Sequence, residues 1–166
     1  MPEKETLARA QEDAREGKSP STQAGEFVRE EMHHIREGKH GAESPQQAIA
    51  IGLSKARRAG VPLAAPQPGK TSKQTRTKAQ RDLRQGKTSR RRKPSARRSR
   101  AVRSALKRKG RAAASRSSLS RQARRTARVR GPADRRRAAL KAVRTKGKTG
   151  RKRAAQKATR TRSRAA

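Results

Sequence analysis

The chain has 166 residues, with 49 Lys and Arg against 12 Asp and Glu, a formal net charge of +37 at pH 7. No globular domain of this size needs that excess for stability, so a polyanionic partner is expected, and nucleic acid is the most abundant soluble one. The absence of Cys excludes a disulfide framework and a thiolate metal site, and fits a reducing, cytoplasmic setting.

The charge is unevenly spread. Residues 1–63 carry ten acids and ten bases, whereas residues 64–166 carry 39 bases and two acids, Asp82 and Asp134. Apolar residues are unevenly spread too. Apart from Ala, the first 63 residues offer Leu7, Phe27, Val28, Met32, Ile35, Ile49, Ile51, Leu53, Val61 and Leu63, and the remaining 103 offer seven, all Leu or Val. Seven such residues are too few to offset a backbone ordering cost of roughly 1–2 kcal/mol per residue. The expected fold class is therefore mainly α. A small N-terminal helical module of two to three helices, with a hairpin, precedes a long, basic, largely disordered tail with transient helices. The expected divisions are 1–60 for the module, 61–70 for a Pro-rich linker and 71–166 for a low-complexity tail.

In chain order, helix one is predicted from about Glu5 to Glu16, with Leu7, Ala10 and Ala14 on one stripe and Gly17 as its cap. Helix two is predicted from about Thr22 to Glu37. Ala24, Phe27, Val28, Met32 and Ile35 recur at helical spacing, and Gly38 ends it. Ser44-Pro45-Gln46-Gln47 sets an N-cap, a first-turn proline and a capping-box glutamine for helix three. Ile49, Leu53 and Ala56 form its stripe, Lys55, Arg57 and Arg58 crowd its last turn, and Gly60 and Pro62 stop it. Helices two and three should pack as a hairpin, and this module is the expected surface for a homodimer or a protein partner.

After the linker, helical tendency is weak around 96–109, 118–130 and 132–145. Like-charge pairs such as Arg103/Lys107 and Arg124/Arg128 oppose helix in free solution. Helix there is expected to form on DNA, where phosphate removes the repulsion.

The stretch from Ile35 to Gly60 contains Gln-Ala-Ile-Ala-Ile-Gly-Leu-Ser-Lys-Ala-Arg-Arg-Ala-Gly from Gln47 to Gly60. It resembles the shared core of a family of small basic bacterial proteins of uncharacterised function, loosely labelled histone-like or DNA-binding. The resemblance implies a bacterial, nucleoid-related protein and supplies no catalytic residues.

Phosphate contact is expected at the densest basic clusters. These are Arg90, Arg91, Arg92 and Lys93; Arg97 and Arg98; Lys107, Arg108 and Lys109; Arg124 and Arg125; Arg135, Arg136 and Arg137; and Arg151, Lys152 and Arg153. Secondary contacts are expected from Lys55, Arg57 and Arg58. Arg outnumbers Lys by 33 to 16, and its planar fork grips phosphate at two points. No aromatic residue lies beyond Phe27, so base stacking is absent. The expected function is non-specific DNA binding of a nucleoid-associated, histone H1-like kind, located in the cytoplasm. The alternatives are an RNA-binding or ribosome-associated protein and, third, an anionic-membrane binder. Apolar stripes as thin as these argue against a membrane partner.

No enzyme activity, cofactor or metal is expected. Gly69-Lys70-Thr71, Gly86-Lys87-Thr88 and Gly147-Lys148-Thr149 lack the earlier glycine of a phosphate-cradling loop. His33, His34 and His40, with Glu30 or Glu37 nearby, meet no recognised metal-ligand spacing, and adjacent His33 and His34 face different sides of a helix.

Overall fold

The structure, a computed structural model, describes residues 2–88 and 95–163. Among the described residues there are seven α-helices and one 3₁₀ turn. The α-helices are α1 (Lys4–Arg15), α2 (Pro20–Arg36), α3 (Pro45–Arg58), α4 (Lys73–Lys87), α5 (Ala96–Lys107), α6 (Arg116–Val129) and α7 (Gly131–Ser163), with the 3₁₀ turn at Ala112–Ala114. The chain divides into two units, residues 1–122 and 123–166.

The first three helices form as their local signals require. Gly17, Gly38 and Gly60 adopt φ of 69°, 78° and 98°, the left-handed conformation that closes a helix end without a Cβ penalty. Ser44 Oγ accepts the Gln47 N–H at 3.2 Å, while Gln47 Oε1 accepts the Glu43 N–H at 2.7 Å, one residue before the reciprocal capping-box donor.

α2 and α3 pack as a hairpin, and α1 packs on α2. Their close approach depends on Gly52. A β-carbon there would stand 2.8 Å from Val28 Cα, so a larger residue would push the helices apart. Two small apolar clusters result. Ala10, Ala24, Phe27, Ala56 and Val61 form one, with Leu7, Leu53 and Leu63 against it. Met32, Ile35, Ala42, Ala48, Ala113 and Ala114 form the other, with Val28, Ile49 and Leu119 against it.

The second cluster overturns the disordered tail. Ala113, Ala114 and Leu119 lie in the part of the chain assigned to it, yet they close the core on Met32 and Ile35. The Gly41 and Ala42 N–H groups donate to the carbonyls of Leu106 and Gly110 at 2.9 and 3.3 Å. Arg36 Nε donates to the Ala114 carbonyl at 3.0 Å. α4 packs on α3. There Ser54 Oγ donates to Asp82 Oδ2 at 2.5 Å, and Ala79 is buried. The compact unit therefore extends to Gln122.

Three physical facts account for this correction. Small residues need few large apolar partners when backbones approach closely, so a count of Leu and Val understates the core. Arg, Lys and Ala are strong helix formers, and a like-charge pair at i,i+4 costs only about 0.2–0.5 kcal/mol. Serine caps start the helices: Ser72, Ser95 and Ser115 accept N–H groups from Thr75, Arg98 and Ser118 at 3.2, 3.3 and 3.2 Å. The segments expected to become helical only on DNA are α5, α6 and the start of α7. No helix was expected from the sequence over α4.

In the second unit, α7 breaks its helical dihedrals at Gly147, with φ 59° and ψ −174°. No helix among the described residues is long and apolar enough to cross a membrane.

Candidate nucleic-acid interface

The C-terminal helices present their cations to solvent because their sequence leaves nothing to bury them. No residue of α6 is buried. Arg124 and Arg125 on α6, and Arg135, Arg136, Arg137, Arg151, Lys152 and Arg153 on α7, are exposed. Consecutive helical residues point about 100° apart, so Arg135–Arg137 spread charge around three sides of α7 rather than along one stripe. Residues 123–166 carry 18 bases and one acid, a net charge of +17. That acid, Asp134, pairs with Arg137 one turn on. One carboxylate cannot neutralise eighteen cations, so strong positive potential surrounds this unit.

In the first unit, Arg97 and Arg98 are exposed at the start of α5, and Lys107, Arg108 and Lys109 are exposed around its end. Lys109 Nζ lies 3.6 Å from Glu43 Oε2. Arg108 Nη1 donates to Ser104 Oγ at 2.9 Å. Arg90, Arg91, Arg92 and Lys93 lie outside the described residues.

The secondary contacts fare differently. Lys55 turns inward, with Nζ 2.7 Å from Glu31 Oε2 and 3.3 Å from Glu30 Oε1. Arg57 is buried; its Nε and Nη2 donate to the carbonyls of Leu63 and Ala64 at 3.2 and 3.4 Å, tying the start of the linker to α3. Burial pushes the Arg57 guanidinium below its usual range, and Asp82 only partly restores it. Of the three, Arg58 alone is exposed, with Nε donating to the Ser54 carbonyl at 3.3 Å and lying 3.8 Å from Asp82 Oδ1. Lys55 and Arg57 thus serve the fold, and of the expected clusters that the structure describes, the exposed ones lie on α5, α6 and α7 and just beyond α5.

The sequence reading also missed a buried acidic cluster between α1, α2 and α3. Glu30 and Glu31 are 3% and 0% exposed, which is costly for charges unless they are compensated. Glu30 Oε2 accepts the Glu3 N–H at 3.1 Å. Burial raises its carboxyl pKa, but the Glu3 N–H, the Thr6 hydroxyl and Lys55 outweigh that and hold it below the usual range. Glu3 is also held low, by His34 Nε2 at 2.8 Å and Lys39 Nζ at 3.2 Å from its Oε1. The signal for this cluster was available: adjacent Glu30 and Glu31 fall among Phe27, Met32 and Ile35 on a helix with an apolar stripe.

No protein-family model, curated protein or solved structure matches this chain.

Proposed function

We propose that this chain binds duplex DNA non-specifically through phosphate contacts, as a nucleoid-associated protein of histone H1-like mode in the bacterial cytoplasm. One observation carries the reading: residues 123–166 have a net charge of +17, and their Arg clusters on α6 and α7 face solvent. Helices with cations on several sides can touch the two walls of a groove, or two duplexes at once, which favours coating and bridging over readout. Affinity then comes mainly from counterion release, and phosphate contacts alone carry no sequence information. The likeness of Gln47–Gly60 to the basic bacterial family agrees with this reading. Because that segment lies in α3 and its Lys55 and Arg57 turn inward, its part in the proposal is to hold the first unit together.

The test is a salt titration of the full chain on duplexes of unrelated sequence. With roughly 6–10 phosphate contacts, affinity falls about 10³–10⁵-fold between 50 and 200 mM salt, equally for every sequence. A salt-insensitive affinity, or a strong preference for one sequence, overturns the reading. Preference for an equal-length RNA duplex in competition transfers it to RNA.

A further inference from the structure

Glu31 is the most completely enclosed charge among the described residues. Its carboxylate is fully buried, and neither oxygen has a hydrogen bond of good angular geometry. Oε2 has the Lys55 ammonium 2.7 Å away as counter-charge. Oε1 faces a different group, His40 Nε2, at 3.2 Å.

The identity of that nitrogen matters. His40 Nδ1 lies 3.2 Å from the Gly41 carbonyl oxygen, which can only accept. With Nδ1 donating to that carbonyl, the Nε2 lone pair points at Oε1, the arrangement that a metal ion between the two atoms needs.

The surroundings favour a metal. One ligand atom each from Glu31, His34 and His40 lies within 4.8 Å of the others. Glu31 and His34 sit three apart on α2, hence on one face, and the Gly38 turn returns the chain so that His40 meets them. The two rings stand edge to face, centroids 6.1 Å apart. Each histidine also has the outer partner that metal-bound imidazoles use to fix their orientation: a backbone carbonyl for His40 and the Glu3 carboxylate for His34. Two imidazoles and one carboxylate suit zinc and its neighbours, and bonds of about 2.0–2.2 Å require only a modest contraction of the triangle.

We propose that Glu31, His34 and His40 bind one divalent transition-metal ion of the zinc class, with Glu31 Oε2 remaining on Lys55. Any proton shared between Nε2 and Oε1 leaves when the ion enters. The ion ties the turn after α2 to the helix itself. Because Gly41 and Ala42 in that turn hold Leu106 and Gly110, it also secures the docking of the α5 end. This inference is independent of DNA binding.

The test uses the full chain, stripped with chelator and titrated with Zn²⁺ and with Co²⁺. One ion binds per chain, and Co²⁺ develops visible absorption bands of a nitrogen–oxygen site. H34Q and H40Q each weaken binding at least about tenfold, whereas H33Q, which alters the exposed neighbour, does not. Circular dichroism confirms that each variant is folded. Should a variant unfold, the imidazole nitrogen resonances of the intact protein decide: Zn²⁺ shifts those of His34 and His40 and leaves His33 in place. Failure of the stripped protein to bind either ion, retained binding in H34Q/H40Q, or a Zn²⁺ shift at His33 alone overturns the proposal.

Discussion

Gly41 and Lys109 meet backbone to backbone: a β-carbon added to Gly41 would stand 1.8 Å from the Lys109 carbonyl oxygen. That contact joins the turn after α2 to the end of α5. Gly41→Ala is therefore expected to destabilise the first unit by about 1–3 kcal/mol, since backbone must shift. Gly25→Ala, on the exposed face of α2 with open space around the new methyl, is expected to stabilise it by about 0.5–1 kcal/mol. Urea unfolding of the two variants should move in opposite directions; equal shifts would show that the Gly41 contact does not form.

A second close approach fixes α4. A β-carbon on Gly86 would lie 2.0 Å from the Arg57 carbonyl oxygen. Gly86→Ala should release α4 locally, seen as faster amide exchange across 73–87 with α2 still protected. Asp82→Ala, which removes the partner of Ser54, should do the same at a cost of about 1–2 kcal/mol. Unchanged exchange in both variants would mean that α4 does not dock on α3.

Lys55 should behave as a structural cation. Lys55→Met leaves Glu31 buried without its counter-charge and is expected to cost about 3–5 kcal/mol, measured with chelator present. At a temperature where the variant is still folded, its affinity for duplex should change little. A large loss of affinity with unchanged stability would return Lys55 to the phosphate interface.

Removal of residues 123–166 takes away 18 of the 49 cations. The remaining chain should keep the helical signal of α1–α5 and cooperative unfolding while its DNA affinity drops and its salt slope flattens by several units. A shortened chain that binds with the original slope would place the interface on α4 and α5.

Replacing Ser44 with Ala removes the cap on α3 and should lower stability by about 1 kcal/mol, read as a lower midpoint with an unchanged denaturant slope.

Much of the first three helices was written locally. Ser44-Pro45, the apolar spacing from Ala24 to Ile35, and glycines at 17, 38 and 60 act within one helix or turn, so neighbouring residues suffice to read them. The exposed basic clusters were equally legible, because eighteen bases and one acid in residues 123–166 cannot neutralise each other in any fold. Other features needed the folded chain. Nothing near Ala113 and Ala114 marks them as core; they are buried only because Met32, Ile35 and Ala42 arrive from more than 70 residues away. The same holds for Gly86 against Arg57, and for Lys55, whose place at the end of a basic helix suggests phosphate until Glu30 and Glu31 are seen beside it. His40 stands six residues from His34, a spacing that matches no helical metal motif, and only the turn at Gly38 brings their rings together. Sequence determined the charge and the helical segments, which depend on composition and short-range geometry. Tertiary structure decided which cations face solvent and which acids share a buried pocket, because that depends on distances between residues far apart in the chain.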